Sequence, residues 1–80
     1  MFFVYAIRSL HKNYIYVGLT DNVIRRFHEH NNGLEKTTRP YLPFELINSW
    51  PCKDRMEARL LEKYYKTSNG KRLLRSMRNW

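Results

Sequence analysis

A chain of 80 residues has room for one domain, spanning 1–80, and a chain that short buries only about 60% of the surface its unfolded form exposes. Hydrophobic residues at 42% and aromatics at 15% exclude an intrinsically disordered chain. Fifteen Lys and Arg against seven Asp and Glu leave a formal net charge of +8, which favours a polyanionic partner, either nucleic acid or an anionic membrane surface.

Residues 2–8 are aromatic and β-branched and predict a first strand; residues 14–19 predict a second. The polar stretch Ser9–Asn13 is short enough for a hairpin connection. Antiparallel pairing then lets Tyr5 and Tyr16 face the same side, because side chains alternate along a strand. Gly18 inside the second run marks a bulge or a place where backbone or ligand comes close. Thr20, Asp21 and Asn22 offer cap oxygens for a helix from Val23 to Asn31, with Val23, Ile24 and Phe27 facing the sheet and Gly33 as the stop.

Residues 34–43 read as a loop holding the basic stretch Lys36–Arg39. Phe44–Trp50 alternates as a third strand, ended by Pro51. Asp54 and Glu57 form a capping box for a helix from Arg55 to Lys66. Its apolar arc holds Met56, Ala58, Leu60, Leu61, Tyr64 and Tyr65, with Arg59, Glu62, Lys63 and Lys66 on the polar arc. After Ser68-Asn69-Gly70, a basic segment Lys71–Arg78 carries Leu73, Leu74 and Met77 at helical spacing. The order ββαβαα predicts an α+β domain: a small, mostly antiparallel three-stranded sheet flanked by about three helices.

No apolar run approaches the roughly 20 residues needed to span a bilayer, which argues against a membrane partner. The segment from Met1 to Ile7 lacks a basic n-region and a cleavage site, so the expected location is cytoplasmic. The single cysteine, Cys52, makes no internal disulfide and agrees with a reducing compartment.

Several side chains carry chemistry on one reading and structure on another. Tyr5 and Tyr16 are a catalytic pair or amphipathic packing residues with a wet hydroxyl. Arg26 and His30, spaced i, i+4, form a phosphate-binding face or a solvated one. Glu62 is a metal ligand or an ion-pair partner of Lys66. Glu57 is explained by the capping box and is structural. His28, His30 and Cys52 match no zinc-ligand spacing.

The order of these pieces narrows the choice. Phe3-Val4-Tyr5, a short gap, and Tyr16-Val17-Gly18 resemble the paired signature of the GIY-YIG nuclease superfamily. The run from Thr20 to Asn31 resembles the family pattern after the second motif, and Glu57-Ala58-Arg59-Leu60-Leu61-Glu62 its glutamate helix. The resemblance covers roughly residues 3 to 66 and is nearest to small stand-alone members related to the amino-terminal domain of excinuclease C, a DNA-repair context.

That resemblance implies a metal-dependent endonuclease acting on nucleic acid, with DNA as the expected polymer. Tyr5 matches the first-motif tyrosine, Tyr16 the second, Arg26 the family arginine and His30 the histidine found in many members. Glu62 matches the single metal-binding carboxylate. The implied cofactor is one divalent ion, Mg²⁺ with Mn²⁺ as the alternative, since Mg²⁺ favours water and substrate oxygens around one carboxylate. Arg26 would hold the scissile phosphate and Tyr5 would act as general base, with Tyr16 or His30 orienting it or taking its proton. A phenol of pKa about 10 working at pH 7 carries a penalty of roughly 4 kcal/mol, which positive charge from the metal and Arg26 would reduce.

The sequence departs from the family pattern in three places. Phe3 replaces the first glycine, Leu19 stands where excinuclease relatives have lysine, and Leu74 occupies the spacing of a family asparagine, with Asn69 off register. Lys36, Arg39, Lys63, Lys66, Lys71, Arg72, Arg75 and Arg78 are candidates for tracking a phosphate backbone. Specificity in many relatives comes from attached domains, so a protein partner could supply it here. The alternative reading is a catalytically idle nucleic-acid-binding module of the same fold; a more distant one is an adaptor docking an acidic protein.

Overall fold

The computed structural model describes residues 1–77, so Arg78 lies outside the described residues. In chain order the elements are β1 (Phe2–Ser9), β2 (Ile15–Thr20), α1 (Val23–Asn31), β3 (Phe44–Cys52), α2 (Arg55–Tyr65) and α3 (Ser68–Ser76). A 3₁₀ turn at Arg39–Tyr41 punctuates the loop before β3. The strands form one antiparallel sheet in the order β2-β1-β3, giving the expected α+β arrangement.

The central position of β1 explains its composition. Val4, Tyr5, Ala6 and Ile7 are all at most 1% exposed, because helices cover both faces of the strand and partners flank both edges. A strand without a solvent side reads as an unbroken apolar run. Its side chains still alternate. Val4 and Ala6 pack with Ile15, Val17, Ala58, Tyr65 and Leu74, on the face covered by α2 and α3. Tyr5 and Ile7 pack with Phe44, Tyr16, Val23 and Phe27, on the face covered by α1.

Local signals set most boundaries. Asn22 caps α1 by accepting from the Arg25 amide at 3.0 Å, and Gly33, at φ +74°, follows its end. Asp54 caps α2 through the Glu57 amide at 2.9 Å, while the Glu57 carboxylate reaches back to the Lys53 amide at 2.9 Å. Glu57 is thus structural, as its spacing suggests.

Four expectations shift. Tyr14 does not open β2; its ring stacks on Tyr41 at 3.8 Å between centroids. Pro51 does not end β3, which continues to Cys52, because β3 is an edge strand, the place in a sheet where proline is tolerated. Ile24, Met56, Leu60 and Tyr64 are exposed rather than packed: a three-stranded sheet is too narrow to cover more than the Ala58–Leu61–Tyr65 stripe of α2. Finally, α3 begins at Ser68 rather than Lys71, since Thr67 caps it by accepting from the Gly70 amide at 3.1 Å.

Gly70 is where α3 meets the end of α2. A Cβ on this residue would lie 2.2 Å from the Tyr64 carbonyl oxygen and 2.5 Å from the Tyr65 Cα, and neither backbone atom can turn away. Gly70→Ala is therefore expected to destabilise the domain by about 1–3 kcal/mol or more through overpacking, read as a lower urea midpoint. An unchanged midpoint would contradict this packing of α3 on α2.

Candidate active site

The β1–β2 register sets Tyr5 opposite Gly18 and Ile7 opposite Tyr16. Both tyrosines lie on the α1 face, with ring centroids 6.3 Å apart. Gly18 is small because Tyr5 lies over it: an added Cβ would sit 2.6 Å from the phenol oxygen. The expectation of a bulge, or of backbone or ligand near this glycine, is thus corrected: pairing is regular through Gly18, and what comes close is the Tyr5 side chain.

His30, in the last turn of α1, is fully buried rather than on a solvated helix face. Its Nε2 is 2.7 Å from the Tyr5 hydroxyl, and its Nδ1 is 2.7 Å from Oγ1 of Thr38, also fully buried. Thr38 donates its own hydroxyl proton to the Glu35 carbonyl at 3.4 Å. Thr38 Oγ1 is then the acceptor for a proton on Nδ1, which leaves the Nε2 lone pair to accept from Tyr5. Burial, and then the charge of Arg26, hold the His30 pKa below its ordinary value, keeping the ring neutral at pH 7.

Arg26 is held by two carboxylates: Nη1 donates to Glu29 at 3.0 Å and Nη2 to Glu35 at 2.6 Å. Burial works against the cation, yet the bonds to Glu35 and Glu29 outweigh it and raise its pKa. The same contact keeps the Glu35 carboxyl below its ordinary value. Burial, then the neighbouring Tyr16, push the Tyr5 phenol above its ordinary range, and Arg26 pulls it back only in part. Arg26 also lines a cleft of about 710 Å³ with Leu19, Thr20, Arg25, Glu29 and Arg55. Leu19 brings no cation there, whereas Arg25 and Arg55 do.

The fold thus brings Tyr5, Tyr16, His30 and Arg26 together. The Glu62 side chain is 12% exposed, and its carboxylate is 3.2 Å from Lys66. Leu60, Leu61 and Tyr64 line a groove with Trp50, Pro51 and Cys52 on the β3 side of α2. At about 100° per residue, Glu62 is turned roughly 160° from Tyr64, toward the β2 edge. No cluster of three or more His, Cys, Asp or Glu side chains able to hold a metal occurs among the described residues. A single carboxylate fits Mg²⁺ or Mn²⁺ that keeps its waters and binds jointly with substrate phosphate; it does not fit a preformed cage or a zinc site.

Among the other predicted cations, Lys36, Lys63, Arg72 and Arg75 are exposed. Arg39 donates its Nε to the Gly33 carbonyl at 2.8 Å, and Lys71 its Nζ to the Ile15 carbonyl at 3.1 Å, so both also tie loops down. Sequence reasoning missed Glu29, Glu35 and Thr38. The i, i+3 spacing of Arg26 and Glu29 signals their pair on the helix; Glu35 and Thr38 lie in a loop with no periodicity to expose them.

No helix among the described residues is long and apolar enough to cross a membrane. A family model for the GIY-YIG catalytic domain matches residues 1–75. Neither the curated proteins nor the solved structures contain a match. The match spans nearly the whole chain: the chain belongs to the GIY-YIG family, a family of nucleic-acid-cleaving endonucleases.

Proposed function

We propose that this domain is a metal-assisted endonuclease, acting on DNA, in which Tyr5 relays the proton of the attacking water to His30. The observation that carries this reading is the buried chain Tyr5–His30–Thr38, with both imidazole nitrogens at 2.7 Å from their partners. A free tyrosinate is disfavoured at this site, since burial raises the phenol pKa. A relay avoids it. As Tyr5 takes a proton from water, its own proton passes to Nε2 of His30, so the phenol oxygen never carries a full charge. Burial and the charge of Arg26 oppose the imidazolium that results, and the Glu35 and Glu29 charges offset them only in part. Tyr16, half-buried beside both rings, walls the relay.

Arg26 is the group that holds the scissile phosphate through charge-assisted hydrogen bonds. An incoming phosphate has to replace Glu35 or Glu29 on the guanidinium, so substrate binding and release of that clamp are one event. Glu62 would hold the divalent ion, Mg²⁺ or Mn²⁺, which when bound stabilises charge on the phosphorane and on the leaving oxygen. The idle nucleic-acid-binding module is the second reading, favoured by the occupied state of Arg26 and the 1% exposure of Tyr5.

Cleavage of labelled plasmid and branched DNA with Mg²⁺ or Mn²⁺ separates the two. Wild type is expected to nick, and Glu62→Ala to bind DNA without nicking. A folded wild type that binds but never cleaves would establish the idle module; equal cleavage by both proteins would remove Glu62 from the site.

The relay has its own signature in the pH profile. His30 must be unprotonated to accept, so activity falls with acid as pH drops through its pKa, on the acid side of 6.5 because that pKa is lowered. The titratable and charged groups that face the ring are Tyr5, Tyr16, Arg26, Glu29 and Glu35. His30→Ala is expected to lose about 10²–10⁴-fold in kcat. Thr38→Val removes the acceptor at Nδ1 and frees the other tautomer, so kcat should fall about tenfold or more while Thr38→Ser restores it. Equal kcat for valine and serine at this position would dismiss the relay.

A further inference from the structure

The protein's positive charge is unevenly spent. In the cleft at the Thr20 end of β2, Arg25 is 2.8 Å from Asp21 and Arg26 is tied to Glu29 and Glu35, so most of the local charge is neutralised. Along α2 the pattern differs. Arg55, Arg59, Lys63 and Lys66 are all exposed and spaced four, four and three residues apart, which places them on one flank within about 80°. Glu62 sits on that same flank, and its contact with Lys66 at 3.2 Å is its ion pair among the described residues. Beyond the end of α2, Arg72 and Arg75 of α3 line a second recess of about 320 Å³ with Lys66 and Lys71. Arg75 is shared with a third recess beside Tyr14 and Ile15, at the start of β2.

These positions form a line. Arg55 belongs to the cleft that holds Leu19 and Thr20, and Lys71 is bonded to Ile15 at the other end of the same strand. So α2 runs beside the β2 edge, from the catalytic cleft to the α3 recess. Its 11 residues span about 16 Å, and the six residues of β2 about 20 Å. Duplex DNA rises 3.4 Å per base pair, so the length of α2 matches about five base pairs.

We infer that a phosphate backbone lies along this flank of α2, between the α3 recess, which anchors it through Arg72 and Arg75, and the Arg26 cleft, passing over Glu62. The inference rests on the nuclease reading for the identity of the polymer, but it places the binding charge away from the chemistry. Arg26 is then free to act on the single phosphate delivered to it. A carboxylate inside a cationic track is otherwise a liability; here it stands where a backbone and a divalent ion meet. Nucleic acid is favoured over an acidic protein because the cations recur evenly, about 6 Å apart on the helix, as a regular polyanion demands.

The test is the salt dependence of binding to a labelled 20-base-pair duplex, followed by fluorescence anisotropy from about 50 to 200 mM salt. Arg59→Ala/Lys63→Ala and Arg72→Ala/Arg75→Ala should each reduce the slope of log K against log salt by about 1.8, at roughly 0.9 for each phosphate no longer neutralised. Lys53→Ala, which removes an exposed cation just after β3, should leave the slope unchanged. All these side chains are exposed, and circular dichroism would verify the folds. Equal slopes for wild type and both double variants would overturn the track, as would a drop of the same size per charge in Lys53→Ala. Binding of polyglutamate but not of duplex by wild type would overturn it in favour of an acidic protein partner. The nuclease reading is judged separately by nicking: a wild type that shows the slope changes but never cleaves keeps the track and loses the enzyme.

Discussion

The contact on which the rest depends is the Tyr5 ring lying on the bare backbone of Gly18. It lets a phenol enter the core of a small sheet and reach a buried histidine on the helix above. The hydroxyl is satisfied there by His30 and by Arg26, and the second ring nitrogen of His30 by Thr38. Such a chain is stable only when every member is satisfied, and no buried side-chain nitrogen or oxygen lacks a partner among the described residues. The polar interior is therefore both a structural commitment and the part of the molecule best suited to move a proton.

A division of labour follows from the sheet's two faces. The α1 face carries the tyrosines, the histidine and the arginine, all close-packed and neutralised by local partners. The α2–α3 face carries the aliphatic core, and its outer flank shows open charge. The two meet at the β2 edge. A sheet only three strands wide makes this possible, because a helix on one face lies within a side chain's reach of the edge that bounds the other. The same narrowness leaves Met56, Leu60 and Tyr64 uncovered.

Much of the fold was legible because its signals are local. The aromatic and β-branched runs of β1 and β2, the caps at Asn22 and Asp54 and the stop at Gly33 act within a few residues. The family likeness likewise rests on short motifs in a fixed order. What the sequence hid depends on tertiary distance. Thr38 is a loop threonine with no periodic neighbour, and only folding brings it to His30. Glu35 lies in the same loop, and only folding brings its carboxylate to Arg26. The apolar arc of α2 was overread because a helical wheel reports which residues share a face, and not how wide the surface beneath them is. Pro51 was overread for a related reason: its effect depends on whether the strand is central or at an edge, which is a property of the sheet.

The chain order of the sheet also shapes how this protein comes to exist. The strand at its centre is the first one synthesised, yet one of its two neighbours is the last: Phe2 pairs with Cys52 and Ser9 with Phe44. A nascent chain carrying only the β1–β2 hairpin would expose a hydrophobic edge with open amides, a template for unwanted pairing until β3 arrives. Closing that long loop is an entropic hurdle that local contacts cannot bypass. Docking of β3 also brings in Phe44, whose ring lies 6.1 Å from that of His30. Assembly of the Tyr5–His30–Thr38 hydrogen-bonded chain is thereby tied to completion of the sheet.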